Sequence, residues 1–124
     1  MGSEARPRKR ILVVEDSPVV QGAMKLVLEW EGYRVTCAAN GREALDCLRG
    51  VEPPSVILLD LKMPVMDGWE LRQELKQDPA LASIPVVAVS GVKDPTDLDA
   101  AACVQKPFEP KELLDAIRRV APPG

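Results

Sequence analysis

The sequence predicts an α/β protein built on a doubly wound, five-stranded parallel sheet with strand order 2-1-3-4-5. Short apolar runs alternate five times with helical segments within 124 residues, and this alternation calls for a parallel sheet with helices on both faces. The runs at residues 11–14, 56–59 and 86–89 lack polar alternation, which is typical of strands that are buried on both sides. Polar residues follow each run directly.

Capping residues, prolines and a glycine predict where individual helices begin and end. Ser17 supplies an N-cap hydroxyl and Pro18 a proline at the first helical position, and Gly32 ends the helix that they open. Asp78 precedes a proline and therefore ends the third helix. The predicted strands are residues 11–14, 34–38, 56–60, 86–89 and 103–106, and the predicted helices are residues 18–31, 41–50 and 69–77, a shortened fourth helix after Asp94-Pro95, and a last helix at residues 110–120.

Length and charge indicate one domain with short appendages. We expect a basic N-terminal arm at residues 1–9, the domain at residues 10–121, and a tail or the start of a linker at residues 122–124. Sixteen Lys and Arg against 19 Asp and Glu, with four aromatic residues, are a poor basis for binding nucleic acid. No apolar run approaches a membrane span and no signal peptide is present, so a cytoplasmic protein without membrane contact is predicted.

The remaining composition narrows the chemistry. Cys37, Cys47 and Cys103 lack metal-type spacing and are interpreted as small buried hydrophobes. Trp30 and Trp69 are expected to be partly buried packing residues. The absence of histidine excludes Ser-His and Cys-His nucleophile systems and most zinc sites.

Polar residues at the carboxyl ends of the predicted strands form a candidate site. Neighbouring strands lie about 4.8 Å apart, so Glu15, Asp16 and Asp60 would bring three carboxylates to one crevice. Such a cluster is costly without a cation, and carboxylates, carbonyls and water suit Mg²⁺ better than Zn²⁺. Lys106 and Ser90 add an ammonium and a hydroxyl from nearby strands. This set suits phosphoryl transfer onto a carboxylate.

Four motifs carry a family resemblance. They are VVEDSP at residues 13–18, LDLKMPVMDG at residues 59–68, IPVVAVS at residues 84–90 and KPF at residues 106–108. Together they resemble the receiver domain of bacterial two-component response regulators, a flavodoxin-like fold typified by chemotaxis regulators, over residues 11–120. The resemblance implies a signalling domain that is not an enzyme and catalyses at most its own phosphorylation and dephosphorylation.

The resemblance also implies specific roles. Asp60 would accept a phosphoryl group from a phosphohistidine of a sensor histidine kinase or a histidine phosphotransfer protein. The other implied roles are Mg²⁺ binding by Glu15, Asp16, Asp60 and the backbone carbonyl of Lys62, phosphoryl contacts by Ser90 and Lys106, and a cis peptide between Lys106 and Pro107.

Several alternatives stay open at this stage. Cys103 occupies the family's switch position, which usually holds an aromatic residue, and the segment at residues 90–106 is short. A receiver fold that serves as an interaction scaffold, with an atypical switch or none, is therefore the second hypothesis. The side chain of Lys62 either covers Asp60 or is solvated, and Asp67 is interpreted as a helix cap rather than a metal ligand.

Partner contacts and a third function class complete the hypotheses. A homodimer or a downstream effector is expected to use the face formed by the fourth helix, fifth strand and fifth helix. The third hypothesis is a true enzyme on the same architecture, either flavin-binding or an aspartate-nucleophile phosphatase. Glu15 and Asp16 would repel a flavin phosphate, and Lys62 stands where such a phosphatase needs an acid.

Overall fold

The computed structural model describes residues 9–50, 53–60, 68–91, 101–106 and 108–120. Its strands are β1 (Arg10–Val14), β2 (Arg34–Ala38), β3 (Val56–Asp60), β4 (Val86–Ser90) and β5 (Ala102–Gln105), and its helices are α1 (Pro18–Trp30), α2 (Gly41–Gly50), α3 (Gly68–Gln77) and α4 (Pro110–Val120). The strands form a five-stranded parallel sheet in the order β2-β1-β3-β4-β5, which confirms the predicted fold class and strand order. The shortened helix predicted between β4 and β5 lies outside the described residues.

Helices cover both faces of this sheet. Alternate residues of β1 and β3 point to opposite sides, and both sets are buried because apolar clusters lie on each face. One cluster joins the sheet to α2 and α3. The other joins it to α1 and α4. All five residues of β3 are buried, so Asp60 ends the most enclosed strand that the structure describes completely.

Helix α1 begins at Pro18 as predicted and ends at Trp30, one residue before the predicted end. The Ser17 hydroxyl accepts a hydrogen bond from the Val20 backbone N–H at 3.3 Å, and Pro18 is the first helical residue. Gly32 has φ of 98°, a left-handed conformation that favours glycine at a helix end. The prediction for Trp30 is wrong, since 86% of this residue is exposed. Trp30 ends α1 on the side that faces away from the sheet.

The cysteines and the last strand also depart from expectation. Cys37 and Cys47 are half-buried and Cys103 is exposed. Cys103 lies in the edge strand β5, where Val104 is the one buried residue, because an edge strand packs less completely than a central one. Lys106 follows β5 rather than ending it. No helix in the described part of the chain is long and apolar enough to cross a membrane.

Candidate functional site

The strand register brings the three predicted carboxylates together. Val14 of β1 pairs with Leu59 of β3, so Glu15 and Asp60 end neighbouring strands at the same edge of the sheet. Oxygen atoms of Glu15, Asp16 and Asp60 all lie within 4.8 Å of one another. Glu15 is 1% exposed and Asp60 6%, whereas Asp16 is exposed. The arrangement is an acid pocket with two buried carboxylates and a third at its mouth.

Lys106 reaches the acid pocket from the end of β5, which lies two strands away from β3 in the sheet. Its Nζ lies 2.9 Å from Glu15 Oε1 and 3.4 Å from Asp60 Oδ2. The sequence predicted a pairing with Asp60, and the structure adds a shorter bond to Glu15. Because Lys106 follows an edge strand, its long side chain spans the sheet edge to reach both acids while 28% of that side chain stays exposed. A single ammonium therefore bridges the two buried carboxylates.

Backbone groups hold Glu15 in place. Its Oε2 accepts a hydrogen bond from the Ser17 N–H at 3.2 Å, and its own N–H donates to the Ala38 carbonyl at 3.0 Å. The turn after β1 is thus tied to the end of β2 and the start of α1. This geometry fixes the carboxylate before any ligand binds.

Gln21 is a site residue that the sequence reasoning missed. Its side-chain amide donates to the Glu15 carbonyl at 3.1 Å and to the Ala38 carbonyl at 3.3 Å. Gln21 interrupts the apolar positions Val20 and Met24 on the inner side of α1. A polar residue at such a position is the signal that could have revealed it, because a polar group near the core needs partners.

The electrostatics of the acid pocket favour an added cation. Burial raises the pKa of Glu15, and the charge of Asp60 adds to this, although hydrogen bonds from Lys106 and Ser17 oppose it. Burial alone would lower the pKa of Lys106, but its hydrogen bond to Glu15 and the charges of Asp60 and Glu15 raise it overall. Three carboxylates face one ammonium among the described residues of the acid pocket. The excess of negative charge calls for a further positive charge.

The donor set fits Mg²⁺. The three acids offer carboxylate oxygens, the hard ligands that this ion prefers. Each Glu15 oxygen already accepts one hydrogen bond, which leaves further lone pairs for an ion or its bound water. Asp16 is exposed and can meet an incoming ion without rearrangement.

Other predicted site residues are placed less completely. Ser90 ends β4 and pairs with Gln105, the residue before Lys106, so its backbone lies at the same sheet edge as the acids. Lys62, Asp67 and Pro107 lie outside the described residues. Their predicted roles, including the cis peptide, stay predictions.

The fold and the acid pocket together define a class of α/β phosphoacceptor signalling domains. The chain matches the model of the response regulator receiver domain over residues 11–118, and it belongs to this family. This confirms the family resemblance, and the carboxylate cluster of Glu15, Asp16 and Asp60 fits the family's phosphoacceptor site. Receiver domains of this family act in two-component signalling.

Similar proteins place such domains in different settings. The probable transcriptional regulator ycf27 of Cyanophora paradoxa is 37% identical over 117 residues, which are 90% of this chain and 47% of the relative. Chemotaxis protein CheY4 of Vibrio cholerae is 29% identical with a TM-score of 0.85, covering 92% of this chain and 99% of the other. The chain spans about half the length of the curated relatives that it matches.

A third similar protein bears on the metal. The receiver domain of the sensor histidine kinase PA1611 from Pseudomonas aeruginosa PAO1 has a TM-score of 0.85 and 27% identity, covering 93% of this chain and 98% of the other. Its structure holds a magnesium ion in the active site cleft. The acid pocket of the present chain offers three carboxylates that could hold a metal ion.

Proposed function

We propose that this chain takes a phosphoryl group from a phosphohistidine of a sensor histidine kinase or a histidine phosphotransfer protein onto Asp60. The observation that carries the proposal is the convergence on Asp60 of two acids and of the Lys106 ammonium, whose Nζ lies 3.4 Å from Asp60 Oδ2. These groups meet at the carboxyl end of β3, a strand in which all five residues are buried. A carboxylate held beside fixed charges is the arrangement that phosphoryl transfer needs.

The transfer is a substitution at phosphorus. A carboxylate oxygen of Asp60 forms the new P–O bond while the P–N bond to the donor imidazole breaks, and the nitrogen keeps the electron pair. Lys106 then pairs with an oxygen of the transferred group, as its contact with Asp60 allows. Glu15 holds the Lys106 ammonium in position through their 2.9 Å hydrogen bond. Ser90 is proposed to donate a hydrogen bond to the same group.

Mg²⁺ is the proposed cofactor. Glu15, Asp16, Asp60 and the backbone carbonyl of Lys62 would hold it, directly or through its bound water. The ion supplies positive charge that offsets the charge of the phosphoryl oxygens. Glu15 and Asp60 are buried and would hold the ion with little rearrangement, whereas Asp16 is exposed and accessible to it.

Intact mass after incubation with a small phosphodonor and Mg²⁺ tests the proposal. We expect one added phosphate in the native chain and none in Asp60→Asn. Asp46→Asn on α2 is the matched control, because Asp46 is exposed and outside the acid pocket, and it should be phosphorylated normally. An unchanged native mass, or equal labelling of Asp60→Asn, would contradict the assignment of Asp60.

Cys103 supports the scaffold as a second candidate function. It is exposed on β5 and offers no aromatic ring to move inward when the acid pocket is phosphorylated. A pure scaffold would bind its partner equally before and after phosphorylation. A large change in affinity would eliminate that candidate and favour a switch.

The wider context of the domain is also part of the proposal. Receiver domains are signalling domains, and we propose that this one catalyses at most its own phosphorylation and dephosphorylation. An effector domain or downstream partner would read its state, as the naming of similar proteins as transcriptional regulators suggests. Phosphotransfer profiling against candidate kinases, with Asp60→Asn as control, would identify the donor. Location in the cytoplasm stays a prediction from the sequence.

A further inference from the structure

The side chain of Gln21 ties the acid pocket to the end of a neighbouring strand. Its Nε2 donates to the Glu15 carbonyl at 3.1 Å and to the Ala38 carbonyl at 3.3 Å. A glutamine amide nitrogen carries two hydrogens, so one group can make both bonds. Both acceptors are backbone oxygens, which identifies the atom that faces them as the nitrogen. The double contact joins helix α1, the turn after β1 and the end of β2.

The carbonyl of Glu15 lies between two of the proposed metal ligands. It belongs to the peptide unit that links Glu15 to Asp16, and a peptide unit is planar. Fixing the direction of its oxygen therefore also fixes where the chain places the Asp16 Cα atom. The carboxylate oxygens of Glu15, Asp16 and Asp60 lie within 4.8 Å of one another. Their approach thus depends on the orientation of this one peptide unit.

The two acids on this peptide unit are held differently. The Glu15 carboxylate accepts hydrogen bonds from the Ser17 N–H at 3.2 Å and from Lys106 Nζ at 2.9 Å. Asp16 is exposed, and within the described ranges no hydrogen bond or ion pair reaches its carboxylate. The position of the Asp16 carboxylate therefore depends on the backbone that Gln21 holds.

Ala38 is a firm anchor for the other bond of Gln21. It is the last residue of β2 and is 1% exposed, and its carbonyl also accepts the Glu15 N–H at 3.0 Å. The next residue is tied to the start of α2, because the Ala39 N–H donates to the Glu43 carboxylate at 2.9 Å. The Gln21 amide therefore links the acid-bearing turn to a point that the sheet and α2 both hold.

Gln21 is itself held firmly within α1. Its backbone N–H donates to the Ser17 carbonyl at 2.9 Å in the first turn of the helix. Its neighbours on the inner side of the helix, Val20 and Met24, pack in the apolar cluster between α1 and the sheet. An apolar residue at this half-buried position would extend that cluster. Glutamine gives up this apolar burial and supplies two hydrogen bonds to the acid-bearing turn and its anchor.

We propose that Gln21 is a positioning residue of the metal site, whose amide holds the peptide unit between Glu15 and Asp16 so that both carboxylates face the ion together. This inference rests on the proposed function, since it assumes that the acid pocket binds Mg²⁺. Gln21 acts through the backbone of the two acids rather than by contact with the ion. Groups that orient metal ligands raise affinity, because the ligands then need less ordering when the ion binds.

A Mg²⁺ titration of the unphosphorylated full chain, followed by backbone amide NMR signals, tests the proposal. Gln21→Met removes both donors and keeps the length and the helix propensity of the side chain. Its Mg²⁺ dissociation constant should be about tenfold higher than that of the native chain. Gln73→Met, the same change at an exposed position on α3, is the matched control and should bind as the native chain does. Native affinity in Gln21→Met would overturn the inference.

Gln21→Asn tests the reach of the amide. This variant keeps the two donors but shortens the side chain by one methylene, so the nitrogen no longer reaches both carbonyls. We expect it to weaken Mg²⁺ binding as Gln21→Met does. Circular dichroism in a chelating buffer establishes that each variant is folded. Full native affinity in Gln21→Asn would contradict a role that depends on these two hydrogen bonds.

The Mg²⁺ dependence of phosphorylation separates positioning from a loss of folded protein. With phosphoramidate as the donor, the Mg²⁺ concentration that gives half the maximal rate of phosphate addition should rise about tenfold in Gln21→Met. The rate at saturating Mg²⁺ should stay within about twofold of the native rate, because Asp60 and Lys106 are unchanged. A lower maximal rate at an unchanged half-saturating concentration would indicate a merely structural role and overturn the inference.

The results also separate this inference from the proposed function. Equal Mg²⁺ affinity and equal phosphorylation of the native chain and Gln21→Met would overturn the role of Gln21 and leave the phosphorylation of Asp60 standing. A native chain that binds no Mg²⁺ and takes up no phosphate would instead remove the proposed function, and the role of Gln21 with it.

Discussion

Two acids of the acid pocket, Glu15 and Asp16, and the exposed apolar face of α1, formed by Val19, Leu26 and Trp30, lie within residues 15–30. Each of the two regions departs from the usual distribution of residues, and they do so in opposite ways. Glu15 is charged yet 1% exposed, whereas Trp30 is a large apolar residue that is 86% exposed. Buried charge and exposed apolar surface both reduce stability relative to the common pattern. Both features occur in the loop after β1 and in α1. We infer that this segment contacts other molecules, while the strands behind it supply stability.

The two regions differ in how they are held. Glu15 contacts Lys106, the Ser17 backbone and the end of β2, so a change there disturbs several elements. The side chains on the exposed apolar face of α1 project away from the core. We therefore expect substitutions in the acid pocket to change both stability and function, and substitutions on the exposed face of α1 to change stability by at most about 1 kcal/mol.

The largest expected effect is a loss of stability, and it compares a buried leucine with an exposed one. Leu58 in β3 is fully buried two residues before Asp60, whereas Leu26 on the exposed face of α1 is 70% exposed. Leu58→Ala should lower the free energy of unfolding by about 3–4 kcal/mol, since it leaves a cavity in the core. Leu26→Ala should lower it by less than about 0.5 kcal/mol. Urea unfolding of both variants at a concentration where the chain is monomeric measures the difference; equal losses would break the contrast.

The second prediction compares two cations. Lys106→Met removes the partner of a buried carboxylate and should lower the free energy of unfolding by about 2–3 kcal/mol without Mg²⁺. Arg118→Met removes an exposed pair with Glu31, in which the two side chains are 48% and 34% exposed, and should lower it by about 0–1 kcal/mol. Thermal unfolding in a chelating buffer compares them. A larger effect of Arg118→Met would show that the bridge between Lys106 and Glu15 is not the stabilising one.

The third prediction concerns the metal. Mg²⁺ at ten times its dissociation constant should add about 1.4 kcal/mol to the stability of the folded chain, because it binds only the assembled acid pocket. Asp16→Asn should weaken binding and reduce this gain. Asp46→Asn, an exposed change on α2, should keep it. Melting temperatures with Mg²⁺ and with a chelator measure the gain, and an equal response of both variants would remove Asp16 from the metal site.

The sequence predicted the parts of the molecule that depend on local pattern and strand direction. The order of strands, the ends of α1 and the convergence of Glu15, Asp16 and Asp60 follow from apolar runs, capping residues and the shared edge of parallel strands. Gln21 and the bond between Lys106 and Glu15 were missed because both depend on side-chain reach across elements. The prediction for Trp30 was wrong because tryptophan is highly buried on average. In addition, helical spacing alone does not say which of two apolar faces of a helix packs against the sheet.

The smallest predicted effect is a gain in stability rather than a loss. It comes from a change on the exposed face of α1 that leaves the acid pocket untouched. Gly22→Ala adds a methyl group where nothing lies within 4 Å and removes the conformational freedom of glycine in the unfolded chain. It should raise the free energy of unfolding of the monomer by about 0.5–1 kcal/mol and leave phosphorylation of Asp60 unchanged. Urea unfolding and the intact mass after incubation with a small phosphodonor and Mg²⁺ measure both quantities on one preparation. A loss of stability in Gly22→Ala would contradict the open space beside Gly22.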